Sequence, residues 1–475
     1  MSGFDRLVFR GSLRRLNYGV WNRELGAFAA IGMEQYLSQN SILMKNYADH
    51  VKQISETVKR ESLQPFREQE LPVVFLRSAA ADKEAVARKV AAEKNIKEGL
   101  VCAISTLEPS PTFEHRGKHI IRRDRPSHVL YHYQIDPVMG WMHTRIQTWL
   151  PFNVQIAING REWLARDMDR IGLKYRQQGN CFVWIEDYEQ AQKLMDRQLE
   201  VNWAERLNGL AQRLNPAHEE IFERYTTDYY WTCYQSEWAT DVRFRDPRAL
   251  KRLMGLMVQH GIESFPSTDV MHYFGRKVNQ NGSIPASFNG TLQIDLKNYR
   301  EGSRVKYRLN GNSTKFYDKA YSVHGSVLRG AETTINHVQD FRVFRPKEGG
   351  PEDDLQWRPM RKGIADLHRR AEVSSKANNR LLDALASLDD SRRVEELTAG
   401  IQQPTANGRR VRGLRPWGED KELLAAINHG EFLINGFRNR DLQPCSIHLP
   451  PPRPRSAADA PQPSAESCAC YGLTG

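Results

Sequence analysis

Between Val305 and Leu309 apolar and polar residues alternate, the period of a half-buried strand. Asn310-Gly311-Asn312 follows and reads as a hairpin turn. The pattern then predicts a returning strand from Thr314 to Asp318. A third is expected over Val327–Arg329 and Glu332–Asn336, and a fourth over Phe341–Arg345. Strands that alternate this way bury one face and present the other.

Earlier in the chain the pattern changes several times. Leu7-Val8-Phe9 is a short strand with arginines on both sides, and a helical region runs from Leu25 to Val58 with a break near Asn40. Leu71–Leu76 and Leu100–Ser105 are apolar runs, read as buried strands, on either side of an Ala-rich amphipathic helix, Asp82–Lys94. His128–Asp136 and Trp141–Leu150 flank a turn and read as a hairpin. Strand Val154–Ile158 leads through Asn159-Gly160 into a helix, Arg161–Ile171. Strand Cys181–Ile185, a mostly helical Tyr188–Leu214 and an aromatic strand Tyr229–Phe244 follow. Asp246-Pro247 opens a helix to about His260, and another starts at Ser267. Met360–Ala386 is a long helix whose inward stripe is Met360, Ile364, Leu367, Ala371, Ser374, Asn378, Leu381 and Leu385. Residues 418–443 read as a helix, a glycine turn and an Arg/Asn-rich segment, the first part of a helix-turn-helix or an ordinary helical hairpin.

The fold class expected is α+β, with antiparallel sheets, packed helices, a long C-terminal helix and a partial helix-turn-helix. The regions are an α/β segment over 1–110, a β-rich α+β core over 111–346 and a linker over 347–359. A helical C-terminal region over 360–443 and a Pro/Ala/Ser-rich disordered tail over 444–475 complete the chain. No internal sequence repeat, Walker loop, G-x-S-x-G or HExxH occurs.

Charge narrows the class of partner. The formal charge is +11, and residues 301–380 carry 16 Lys+Arg against 10 Asp+Glu. A polyanion is the natural partner of such a surface, DNA before RNA, because neutralising phosphates releases counterions. A basic enzyme with a solvated surface is the alternative. The six cysteines have no zinc-ribbon spacing, no stretch approaches 18 apolar residues, and the N-terminus lacks the apolar segment of a signal peptide. A cytoplasmic protein without a membrane partner is expected, with homo-oligomerisation open.

Two constellations carry candidate chemistry. Tyr317, Lys319, Arg329 and Glu332 fall where the strand pattern allows them to share one presented face. A tyrosine there can attack a phosphodiester, with cations to hold the phosphate and Glu332 to orient Arg329 or ligate a metal. Equally, Arg329 and Glu332 form a structural pair across the sheet while Tyr317 packs by its ring. The second constellation is the His128–Leu150 hairpin. Alternation places His128, His132 and Gln134 on one face of its first strand and His143, Arg145 and Gln147 on a matching face of the second. His132 and His143 would then hold a divalent ion, Mg²⁺ or Mn²⁺ in a phosphodiester-transfer enzyme. The same face equally suits a nucleic-acid groove. Candidate phosphate contacts are Arg145, Gln147, Arg342, Arg345, Arg361, Lys362, Arg369, Lys376, Arg438 and Arg440. Of these, Lys362, Arg369 and Lys376 recur every seven residues along one outer stripe.

The segments FDRLVFRGSLRRL, RIQTWLPFNVQIAINGREWLARDMDRIGLKY, KFYDK, ETTIN, MRKGIADLHRR and GEFLINGFRNRDL, in that order, resemble a large multicopy bacterial family. Some of its members are labelled MarR-type regulators on account of a terminal winged helix. Residues 444–475 do not continue that module, and the tail is read as a frameshifted or truncated winged helix. More locally, Tyr317-Asp318-Lys319 followed by Leu328-Arg329 and Glu332 is similar to the strand pair of gene-II-type phage and plasmid rolling-circle replication initiators. That resemblance implies a tyrosine that nicks DNA. The family spaces Arg and Glu by one residue, where this chain has Gly330-Ala331, and its paired-histidine motif is not present here. A mobile-element DNA-binding protein, with or without a nicking step, is therefore expected. The alternatives are a non-enzymatic transcriptional regulator and a structured-RNA binder.

Overall fold

A computed structural model describes residues 1–15 and 30–387, apart from isolated loop positions at 280, 287, 289, 300, 301, 323, 324, 348, 349 and 352. Beyond these it describes only 405–406, 409–410, 413–415 and 420–427. The class is α+β, as expected.

Eleven strands form one sheet. In chain order they are β1 (Ser2–Arg15), β2 (Val73–Leu76), β3 (Gly99–Arg116), β4 (His119–Asp136), β5 (Gly140–Gln147) and β6 (Val154–Asn159). After a separate hairpin of β7 (Tyr175–Gln177) and β8 (Phe182–Ile185) come β9 (Thr227–Phe244), β10 (Leu292–Tyr299), β11 (Gly302–Leu309), β12 (Asn312–Ser322) and β13 (Gly325–Ile335). The spatial order is β10-β11-β12-β13-β9-β1-β6-β5-β4-β3-β2. Every pairing is antiparallel except β2 with β3.

That order contains a repeat of topology. β1 is followed by α1 (Ala30–Gln39) and α2 (Tyr47–Glu68), and then by a meander whose last strand, β6, returns to pair with β1. β9 is likewise followed by α8 (Pro247–Glu263) and α9 (Ser267–Tyr273), and by the meander β10–β13, whose last strand returns to β9. The two opening strands pair antiparallel from Ser2↔Thr240 to Arg15↔Thr227, which relates the halves by an approximate two-fold axis through the sheet. β2 and α3 (Lys83–Glu93) are an insertion in the first half only.

One face of the sheet is closed by helices. α1, α2, α6 (Trp203–Leu214), the short α7 (His218–Ile221) and part of α10 (Leu367–Ala386) cover Leu7, Phe9, Leu130, Ile146 and Ile156. α8, α9 and the rest of α10 cover Val305, Tyr307, Leu309 and Phe316. α10 thus spans both halves, and its buried stripe of Leu367, Ala371, Ser374, Asn378, Leu381 and Leu385 follows the helical period. Buried Arg370 ties it down by donating to Cys233 O, Ser236 Oγ and Ile335 O. The other face is covered only in part. α3 packs on Cys102, Ile104 and Tyr133. α4 (Gly160–Ile171), α5 (Tyr188–Arg197) and the β7–β8 hairpin close over the start of β1 and the end of β9.

Local chemistry sets many boundaries. Asp82, Asn159, Asp187, Asn202 and Asp246 cap α3, α4, α5, α6 and α8 by accepting backbone N–H bonds. The β11–β12 turn uses Asn310 at φ 50° and Gly311 at φ 82°, a two-residue hairpin turn that favours this pair. The boundary expected at residue 110 falls inside β3, and the single sheet runs through both expected regions. The expected linker contains β15 (Gln356–Pro359), which pairs with β14 (Arg342–Arg345). Of residues 418–443, 420–427 are described and hold a short helix, α11 (Lys421–Ile427), while the rest of the expected helix-turn-helix and the tail lie outside the described residues.

Candidate functional site

Strand alternation decides which side chains reach the partly open face. On β11 and β12, Val305, Tyr307 and Phe316 point into the helical layer, so Arg304, Lys306, Lys315 and Tyr317 lie on the other side. On β13, register sets Glu332 opposite Lys315 and Thr334 opposite Glu237 of β9. Glu237 in turn faces Arg6 of β1. The polar strip therefore runs from the second half into the first across the pseudo-two-fold.

Tyr317 and Glu332 are brought together. The Tyr317 hydroxyl donates to Glu332 Oε2 at 3.1 Å, and the Lys315 ammonium is ion-paired with Glu332 Oε1. Arg304 and Lys315 both lie over the Tyr317 ring, 5.6 and 5.7 Å from its centre. Arg329 is opposite Tyr317 in register, and β-bulges lie between Lys315 and Tyr317 and between Arg329 and Ala331. These bulges accommodate the two-residue spacing between Arg329 and Glu332. The side chains of Lys319 and Arg329 lie outside the described residues.

Glu332 belongs to a group of three carboxylates. Asp5, Glu237 and Glu332 each offer an oxygen within 4.8 Å of the others. Burial, and then the charge of Glu332, push the Glu237 carboxyl upward, against the opposing pull of Lys315 and Arg6. Asp5 accepts from Asn180 Nδ2 at 2.7 Å and lies 3.5 Å from the wholly buried Arg161, which also reaches Asp241 at 3.2 Å. Sequence patterning did not single out Asp5, Glu237, Lys315 or Arg161. Only Lys315 had a local signal, since it sits two residues from Tyr317 and so on its face.

The histidine pair is corrected by register. Tyr133 pairs with His143 and His132 with Thr144, so the two histidines point to opposite faces of the sheet. His132 is buried against Phe66, with Ser62 Oγ 3.2 Å from Nε2, and burial holds its pKa down at about 3. His143 packs against Tyr131 and Tyr133 and is lowered to about 4, by burial first and then by Arg6 and Lys83. They cannot share an ion. They also lie on β4 and β5; β5 is five strand spacings from β12, about 24 Å at 4.8 Å each, too far for either histidine to join Tyr317 in one site.

Gln147 is also corrected: it is 1 % exposed and donates to Pro111 O at 2.8 Å, inside the fold. Arg145 is on the partly open face, paired with Glu108 at 2.9 Å. Glu108 also accepts from Tyr131 at 2.8 Å, and Lys83 and Arg145 flank the Tyr131 ring. The first half thus carries its own tyrosine–glutamate–cation group, with the glutamate on β3 and the tyrosine on β4 and so not on the strands equivalent to β13 and β12. Between the two groups lie exposed Arg6 and Arg10, with the Arg10 guanidinium 4.2 Å from the centre of the half-exposed Tyr234 ring.

The remaining basic residues lie elsewhere. Arg345, Arg361 and Arg369 converge on buried Asp366, and Lys376 pairs with Glu372 on the outer side of α10. Arg342 and Lys362 are exposed. Arg438 and Arg440 lie outside the described residues.

Comparison with family models, curated proteins and solved structures gives no match to this chain. Among the described residues no helix is long and apolar enough to cross a membrane.

Proposed function

We propose that the chain binds nucleic acid, DNA in the first instance, on the partly open face of its sheet, and transfers a phosphodiester to Tyr317. The observation that carries this reading is the Tyr317 hydroxyl held on Glu332 beside Lys315, on a face that continues through Arg6 and Arg10. Glu332 is placed to accept the phenolic proton as Tyr317 Oη attacks phosphorus. The new Tyr–O–P bond replaces the bond to the leaving sugar oxygen, which takes a proton from solvent. Lys315 and Arg304, over the Tyr317 ring, supply positive charge to the phosphate. Asp5, Glu237 and Glu332 are hard oxygen donors of the kind Mg²⁺ or Mn²⁺ takes, and such an ion would add Lewis-acid charge beside the phosphate.

The test is incubation of the full chain with single-stranded DNA and Mg²⁺ or Mn²⁺, followed by denaturing electrophoresis. A covalent protein–DNA adduct, lost in Tyr317→Phe and in Glu332→Gln, is the expected result. An adduct that survives Tyr317→Phe would overturn the nucleophile. DNA retained without any adduct would replace the enzymatic reading with that of a non-enzymatic binder.

A further inference from the structure

The β14–β15 hairpin presents an aromatic pair that the fold leaves uncovered. Phe344 and Trp357 face each other across the hairpin, with ring centres 5.9 Å apart and planes inclined by 52°. They are 51 % and 65 % exposed, whereas Val343 between them and the interior is buried at 5 %. An anchored backbone with two bare rings is a rigid platform. It is held from below by the Met360 N–H bond to Phe341 O and by Arg345, which donates to Pro359 O.

Among the described residues at the rim of this platform cations outnumber acids, the acids of the connecting segment being exposed Asp353, and Asp354, which pairs with Arg358. Beneath it, Arg345, Arg361 and Arg369 are all held at the buried carboxylate of Asp366. Exposed Arg342, Lys347 and Lys362 flank the hairpin with no ion-pair partner among the described residues. This excess of positive charge beside bare rings selects the occupant. An apolar protein partner would use the rings but leave the cations unpaired. A nucleic-acid strand uses both, with bases stacking on the rings and phosphates meeting the cations. A duplex keeps its bases stacked on one another and offers no base face to a ring.

We propose that Phe344 and Trp357 form an accessory single-stranded nucleic-acid site, in which one or two bases stack on the ring pair and Arg342, Lys347 and Lys362 meet the backbone. The inference rests on the nucleic-acid reading above. It places the second contact on a hairpin outside the sheet that carries Tyr317.

The experiment uses fluorescence anisotropy of the full chain with a labelled oligothymidylate and with the corresponding duplex, over a salt series. The wild type is expected to prefer the single strand. Trp357→Ala should weaken single-strand binding about 10- to 100-fold with the salt slope unchanged, because stacking is not a phosphate contact. Trp357→Phe should restore most of the affinity. Arg342→Ala should lower the salt slope by about one unit. Since Trp357 is exposed, thermal melting of these variants should match the wild type. Wild-type affinity in both Trp357→Ala and Phe344→Ala would overturn the site while leaving nucleic-acid binding by the sheet face intact. Failure of the wild type to bind either probe would overturn both.

Discussion

Lys315 and Glu332 form an ion pair in which the partners differ in burial, and the two halves of the pair should therefore respond differently to mutation. Glu332 is 1 % exposed and lies among the carboxylates of Glu237 and Asp5. The Lys315 side chain retains 12 % exposure. Lys315→Met removes the ammonium from a buried carboxylate that lies beside two others, with the Tyr317 hydroxyl still donating to it. Breaking a buried pair in that direction costs about 3–5 kcal/mol. Glu332→Gln leaves Lys315 able to turn toward solvent and toward Glu237, and a cost of about 1–2 kcal/mol is expected. The double variant carries neither charge and should be less destabilised than Lys315→Met alone, with a coupling energy of roughly 2 kcal/mol. Denaturant unfolding of the four proteins at neutral pH measures the cycle. Equal costs for the two single variants, or a coupling below about 0.5 kcal/mol, would refute the view that this pair neutralises a buried carboxylate group.

Further outcomes follow from other buried groups. His132 and His143 are depressed to about 3 and about 4, so between there and the ordinary histidine range the unfolded chain binds protons that the native chain does not. Stability should therefore fall as pH drops below about 6.5, by up to about 1.4 kcal/mol per pH unit for each histidine, and His132→Gln should flatten a melting-temperature profile between pH 6.5 and 5. Asn378, fully buried, donates to Trp238 O and Ala331 O and accepts from Thr333 Oγ1, so Asn378→Leu should cost about 2–4 kcal/mol in denaturant unfolding. At Gly160 a Cβ would fall 2.1 Å from Phe4 O, and Gly160→Ala should lower stability by about 3 kcal/mol or more, since backbone cannot yield there as a side chain can.

Much of the local structure was legible in the residue pattern. The α10 stripe from Leu367 onward, the capped starts of α3, α4 and α8, and the Asn310-Gly311 turn all follow from interactions within a few residues, whereas Met360 and Ile364, expected on the same helix, precede its start at Leu367. Tyr317 and Glu332 were legible for the same reason: a strand period and a hairpin turn fix which side chains alternate. Where pairing between strands was needed, pattern was insufficient. The His132/His143 expectation assumed matched faces, and a one-residue difference in register sent the two rings to opposite sides. Gln147 looked like a surface amide but satisfies a buried carbonyl.

By itself, then, the sequence determined the α+β class, most elements, a net positive chain and the tyrosine-bearing strand pair, because periodicity, turn chemistry and charge are local properties. Tertiary structure alone decided that β1 and β9, more than 200 residues apart, pair at the centre of one sheet. It also decided that Asp5, Glu237 and Glu332 converge there, and that the rings of Phe344 and Trp357 stay bare. Strand order and register depend on long-range hydrogen bonding and on which faces the helices cover, and no short window of sequence contains either.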